Sequence, residues 1–330
     1  MGLLINGTWS NQWYTPDEKG RFIRSEARFR DRITADGSSG YRAEAGRYHL
    51  YVSHACPWST RAVILRKLKG LENTISMSVV DPLMGEDGWF FSEGPDCVPD
   101  FVNHKQFMYE IYTAAMPEYT GRVTVPVLWD RQTGTIVSNE SREIIRMLDK
   151  EFEMFAENKI TFCPEGLQKK IDDTIDAIYA PINDGVYRAG FSTTQEAYEE
   201  AAFELFAALD SWESILGSRR YLTGDVLTEA DWCLFVTLYR FDSVYFLHFK
   251  CNLRRIQDYP NLWNYTRELY QYPGVAECCY MDHTKNHYFR SHPTINPTRI
   301  VPIGPEIDFD APHNRERLFA STAKTRSIIR

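Results

Sequence analysis

The chain has 330 residues, 43% hydrophobic and 25% charged, with a formal net charge of −8. That length predicts two domains with room for two cores, and the composition is ordinary for a globular protein. The acidic balance argues against nucleic acid or an anionic membrane as main partner, and no apolar run approaches the roughly 20 residues of a membrane span. The opening MGLLINGTWSNQWY lacks a basic region followed by an apolar stretch, so no secretory signal is expected. Cys56, Cys97, Cys163, Cys233, Cys251, Cys278 and Cys279 show no disulfide-framework spacing, which predicts a reducing, cytoplasmic setting.

Residues 1–46 are polar and broken by Asp36, Gly37, Ser38, Ser39 and Gly40, and read as an irregular N-terminal extension. Tyr48, Leu50 and Val52 alternate as one face of a strand over 47–53. Pro57 can open a helix over 57–69, and Gly70 can end it. Ile75, Met77 and Val79 mark a strand over 75–80, which completes a βαβ unit and predicts a parallel pair. Residues 81–118, rich in Gly, Pro and aromatics, read as a long insertion. A strand over 123–129 contains Pro126, so it should lie at an edge or be distorted. Asp130 to Gly134 turns into a second strand over 135–137, and residues 138–141 start a helix carrying Ile144, Ile145 and Leu148. The order β-α-β then β-β-α is the thioredoxin-like layout, assigned to 47–155.

From about residue 165 the pattern is helical. Thr193 with Glu196 predicts a capping box ahead of a helix through Leu205, Leu209, Trp212 and Leu216. Thr228 with Asp231 predicts a second one, with Leu227 and Trp232 placed as a hydrophobic staple. After Pro273 the pattern fades, and Pro293, Pro297, Pro302 and Pro305 predict an extended tail over 284–305. The helical domain with this tail is assigned to 165–313, and the mostly basic residues 314–330 are expected to fray.

Cys56 stands between the first strand and the first helix. Helix N-terminal N–H groups and the positive end of the dipole lower a thiol's pKa at such a position. The redox motif C-x-x-C has its second cysteine at the fourth position, but here that residue is Ser59. A redox role for Cys56 therefore requires a second thiol from elsewhere, most simply a small molecule. Most cysteines are buried and inert; the strand–Cys-Pro–helix context favours reactivity.

Three further features carry a resemblance. A thioredoxin-like domain followed by a helical one, with Cys56-Pro57-Trp58-Ser59, Val125-Pro126 and Glu140-Ser141, resembles the glutathione transferases. Residues 183–190 (NDGVYRAG), 239–252 (YRFDSVYFLHFKCN) and 287–297 (HYFRSHPTINP) resemble the glutathionyl-hydroquinone reductases, the Xi class of that superfamily. The similarity runs from about residue 3 to 309 and includes the extension, the insertion and the tail.

This resemblance implies that Cys56 is the nucleophile and Tyr187 the proton donor and acceptor. Tyr245 and Tyr288 would help to keep the thiol ionised. Trp89, Arg122, Val123, Thr124, Val125, Glu140 and Ser141 would bind glutathione, with Pro126 cis. It also implies a homodimer. Ser59 departs from the family's usual alanine, and Asp184 from its asparagine.

The expected substrates are glutathione and glutathionyl-hydroquinones or other aromatic thioethers. Breaking an aryl thioether requires an acid near the ring, because protonation of a ring carbon turns the leaving group from a carbanion into an enolate. A lone thiolate then suits a ping-pong scheme with a glutathione mixed disulfide. His283, His287 and His292 lack companions for a convincing metal shell, so no metal is expected. A broader omega-like transferase with thioltransferase or dehydroascorbate reductase activity is an alternative, as is a non-catalytic binding module. The retained Cys56 argues against the latter.

Overall fold

The structure is a computed structural model that describes residues 2–318. The chain divides into two units. One contains Met1–Thr15, Ile23–Ile160 and Glu277–Pro302; the other contains Pro16–Phe22, Thr161–Ala276 and the segment from Ile303 onward.

The N-terminal extension, expected to be irregular, holds regular structure. Strands β1 (Leu3–Ile5) and β2 (Thr8–Ser10) form an antiparallel hairpin, and β3 (Ile33–Thr34) pairs in parallel with β4 (Tyr41–Arg42). The hairpin turns on Asn6 and Gly7, at φ 48° and 75°, and Asn-Gly is the dipeptide that tolerates two positive φ values in succession.

Next come β5 (Tyr48–Val52), α1 (Pro57–Leu68) and β6 (Ser76–Val79), with β5 and β6 parallel as expected. Helix α1 ends at Gly70, at φ 65°, where the Leu71 N–H donates to the Arg66 carbonyl and that of Gly70 to Lys67. Inside the insertion lies α2 (Met108–Ala115). The strand expected over 123–129 is shortened: β7 (Gly121–Arg122), ahead of the expected span, pairs with β1, and β8 (Val127–Asp130) starts only beyond Pro126, which has no N–H for the ladder. β9 (Thr135–Ser138) and α3 (Ser141–Lys150) complete the set, and the sheet order is β6-β5-β8-β9.

All five residues of β5 are buried, so the expected one-sided alternation is covered on both faces. Tyr51, Val127, Trp129 and Ile136 share a core with Met108, Ile111 and Tyr112 of α2 and with Trp89 and Phe91 of the insertion. Helices α1 and α3 pack together.

The second unit is helical: α4 (Gln168–Ile178), α5 (Gly185–Gly190), α6 (Gln195–Leu216), α7 (Glu229–Arg240), the short α8 (Phe246–His248) and α9 (Pro260–Tyr270). π-Helical turns at Tyr179–Asn183 and Phe241–Tyr245 interrupt the run. The box at Thr228 and Asp231 forms as expected. The one at Thr193 does not: Thr194 caps α6 by accepting from the Ala197 N–H, while the Thr193 hydroxyl donates to the Gly20 carbonyl.

Residues 284–305 are not wholly extended, because α10 (Met281–Ser291) occupies their start. Its buried face holds His283, Thr284, His287, Tyr288 and Ser291, so polar side chains mask the apolar periodicity that marks most helices. This helix belongs to the first unit, unlike the assignment of 165–313 to a single domain. The fraying expected over 314–330 does not hold at Arg315, which is buried and donates to the carbonyls of Leu216, Arg219 and Arg220. Residues 319–330 of that expectation lie outside the described residues.

Candidate active site

In the first unit, Cys56 is the N-cap of α1, at φ −79° and ψ 122°, with Pro57 at the first helical position. The Cys56 N–H donates to the Ser53 carbonyl at 3.2 Å, while the Thr60 N–H and hydroxyl both donate to the Cys56 carbonyl at 3.0 Å. These bonds lock the main chain so that the half-buried Sγ projects beside the first turn of α1. Sγ lies 3.5 Å from the carbonyl oxygen of Val125, and the Val125–Pro126 peptide bond is cis. None of the seven cysteines is in a disulfide. Ser59 is fully buried, and its Oγ accepts from the Ser53 N–H at 3.3 Å. The departure from alanine thus ties the end of β5 to α1.

Glu140 and Ser141 sit at the start of α3. The Glu140 carboxylate caps the helix by accepting from the Arg142 N–H at 3.0 Å, and the Ser141 hydroxyl is 3.5 Å from Glu140 Oε1. Ser141 Oγ also accepts from Arg61 Nη1 at 3.3 Å. Arg61 is buried, with its guanidinium over the Trp58 ring at 4.4 Å, while that of Arg24 lies 5.2 Å from the same ring. Sequence reasoning missed Arg61, since a charge in an apolar helix pattern carries no signal of its own.

The segment before the cis-proline is pinned from beneath. The Tyr112 hydroxyl donates to the Thr124 carbonyl at 2.9 Å and accepts from the Thr124 N–H at 3.2 Å, and Asn139 Nδ2 donates to it at 3.1 Å. Val123 and Val125 are buried. The Arg122 guanidinium donates to the carbonyls of Gln12 and Trp13 and stacks over Tyr14 at 4.2 Å, so it holds the N-terminal extension. Burial lowers its pKa.

Trp89 is buried, with its ring stacked on His287 at 4.6 Å between centroids and 22° between planes. Tyr288, one residue along α10, is buried with its ring edge-on to His292 at 5.7 Å. His287 Nδ1 meets the Pro82 carbonyl at 2.9 Å and His283 Nε2 that of Pro95 at 2.8 Å. Among the described residues no group of three or more His, Cys, Asp or Glu could hold a metal ion.

In the second unit, α5 carries Tyr187 and the second π-helical turn ends on Tyr245. Their ring centroids are 6.0 Å apart, and Phe249 packs against both, at 5.5 Å from Tyr187 and 5.6 Å from Tyr245. The cluster is aromatic with hydroxyl tips, a surrounding suited to a flat ring. Local reading had no means to pair these two tyrosines, since 57 residues separate them in the chain.

Residues 55–151 match the family profile "Glutathione S-transferase, N-terminal domain" and residues 195–268 the profile "Glutathione S-transferase, C-terminal domain". The chain is 53% identical over 327 residues to glutathionyl-hydroquinone reductase YqjG of Escherichia coli, covering 97% of this chain and 100% of that protein. The glutathione-bound structure of YqjG superposes with a TM-score of 0.88 at 51% identity, covering 96% of this chain and 99% of that one. A Xi-class glutathione transferase from Natrialba magadii superposes with a TM-score of 0.90 at 51% identity, covering 96% and 97%.

Proposed function

Because the chain belongs to the glutathione S-transferase family, and within it to the Xi-class glutathionyl-hydroquinone reductases, we infer that it cleaves glutathionyl-hydroquinones to hydroquinones at the expense of glutathione. The observation that carries this reading is the Cys56 thiol at the N-terminus of α1, beside the carbonyl that precedes a cis-proline and without a cysteine at position 59. Such a thiol can attack sulfur and must then be released by an external one.

Tyr187 gives its proton to the ring carbon that bears the thioether and takes one from the adjacent ring hydroxyl, which restores the tyrosine and turns the ring into a keto tautomer. The Cys56 thiolate attacks the glutathionyl sulfur; the S–S bond forms, the carbon–sulfur bond breaks, and its electron pair leaves as an enolate that becomes hydroquinone. The aromatic product is reduced and the two sulfurs are oxidised to a Cys56–glutathione mixed disulfide. A second glutathione thiolate attacks that disulfide, giving glutathione disulfide and restoring the Cys56 thiolate. Tyr245 and Tyr288 stabilise that thiolate through their hydroxyls.

For the peptide part, Glu140 pairs with the γ-glutamyl ammonium, Ser141 and the α3 N-terminus take its carboxylate, Trp89 flanks the peptide, and Val123, Thr124 and Val125 offer backbone to the cysteinyl residue. Arg122 acts in this reading by ordering the extension beside that backbone.

Intact mass after exposure to a glutathionyl-hydroquinone tests the scheme. One glutathione should add to Cys56 and leave when glutathione is supplied; no adduct at neutral pH sinks the mechanism. Tyr187→Phe should damage cleavage of the conjugate far more than simple thiol exchange, and equal loss of both would count against its proton role. We also propose a homodimer in the cytoplasm. Phe203, Leu247 and Leu253 are exposed apolar side chains of the second unit, consistent with an interface there, and light scattering reads the stoichiometry. Among the described residues no helix is long and apolar enough to cross a membrane.

A further inference from the structure

Three buried polar residues on one face of α10 grip the main chain of the insertion. At spacings of four residues, His283 Nε2 meets the Pro95 carbonyl at 2.8 Å, His287 Nδ1 meets that of Pro82 at 2.9 Å, and Ser291 Oγ accepts from the Met84 N–H at 2.9 Å. A carbonyl only accepts, so both imidazoles donate from these nitrogens. Of the three, only His287 has a ring contact with Trp89, its imidazole lying flat against the indole, whereas the His283 ring meets His54 and Tyr280. The Trp89 main chain is held separately, its carbonyl accepting from the Met108 N–H at the start of α2. The tryptophan is therefore fixed at its backbone by one helix and at its ring by another.

We propose that His287 is a positioning residue for glutathione, its Pro82 bond fixing the imidazole plane on which the Trp89 indole is oriented. The inference rests on the reading of Trp89 as a glutathione contact. An indole without this support would sample other rotamers, and binding would have to select the competent one, lowering affinity by the fraction populated. His283 provides the internal comparison, because it fastens the same helix to the same insertion and makes no ring contact with Trp89.

The test is calorimetric titration of the full chain with S-methylglutathione, an unreactive probe, alongside thermal melting. His287→Asn keeps a donor near Pro82 but removes the ring, and should raise Kd about tenfold. His287→Phe keeps a flat ring but loses the bond to the Pro82 carbonyl and should raise Kd by more than about threefold, whereas a Kd equal to the parent's would overturn the role given to that bond. His283→Leu should lower Tm comparably yet leave Kd within about threefold. If Trp89→Ala raises Kd while His287→Asn does not, the positioning role is overturned and the Trp89 contact stands. Equal weakening by His283→Leu and His287→Asn would reduce the effect to general loosening and overturn it as well. An unchanged Kd in Trp89→Ala would remove the glutathione contact itself, and this proposal with it.

Discussion

Single residues here do work that depends on what the rest of the chain places against them. The place of Cys56 at a helix start was legible because strand, cysteine, proline and helix are consecutive; its approach to Val125, 69 residues on, was not. Cys56→Ser should abolish both adduct and turnover, measured by mass and by product release, while leaving Tm within a few degrees. The Ser59 hydroxyl accepts from the buried Ser53 N–H. Ser59→Ala should cost about 1–3 kcal/mol in urea unfolding by orphaning that donor, and a large change in adduct rate would contradict this reading. His49 sits on β5 between the hydroxyls of Ser76 and Ser78, at 2.7 and 3.0 Å, and burial pushes its pKa down from 6.5 to about 4. The folded protein thus keeps it neutral while the unfolded chain protonates it below pH 6.5, so this contribution is complete above 6.5 and is lost as pH falls toward 4. The full effect is on the order of 3 kcal/mol. The stability gap between the parent and His49→Gln should therefore shrink between pH 7 and pH 4.5, and a pH-independent gap would exclude the linkage.

Among the elements, the legible ones are those whose signals are local. Thr228 and Asp231 announce the start of α7 three residues apart, and the box forms. Asp231 also accepts from the Leu222 N–H at 2.9 Å and the Tyr265 hydroxyl at 2.8 Å, and burial still raises its carboxyl to about 6. Thr228→Ala should cost about 1 kcal/mol, the worth of a cap. Asp231→Ala, which strands several buried donors at once, should cost about 3 kcal/mol or more in the same unfolding measurement. Helix α10 is illegible for the opposite reason: its buried stripe includes His283, His287 and Ser291, whose partners are two carbonyls and an N–H group of a loop some 200 residues earlier. The hairpin at Asn6-Gly7 was signalled locally and was hidden only by its polar surroundings.

At the scale of the molecule, the termini are structural parts. The extension runs along the outer edge of β9, with the Asp31 N–H donating to the Val137 carbonyl and Phe29 and Asn139 exchanging bonds, so that edge is covered. Deleting residues 2–31 should expose it and cause aggregation, read by light scattering. Arg315, buried with its guanidinium on three carbonyls at the end of α6 and just beyond, closes the second unit from the far end of the described chain. Arg315→Gln should lower Tm by several degrees, since all three carbonyls lose their charged donor and the two amide N–H groups cannot serve them all. By itself the sequence determined the thioredoxin-like and helical halves, the place of Cys56 at a helix start, and the family to which its motifs point, because each is written in contiguous residues a few positions apart. Tertiary structure alone decided that Arg122 holds the extension, that Tyr187 meets Tyr245, and that a polar helix near the end supports Trp89. Those are long-range pairings, by hydrogen bonds for Arg122 and by ring contact for the others, and a residue's bonding and packing capacity says what it can meet without saying which distant partner the fold will bring.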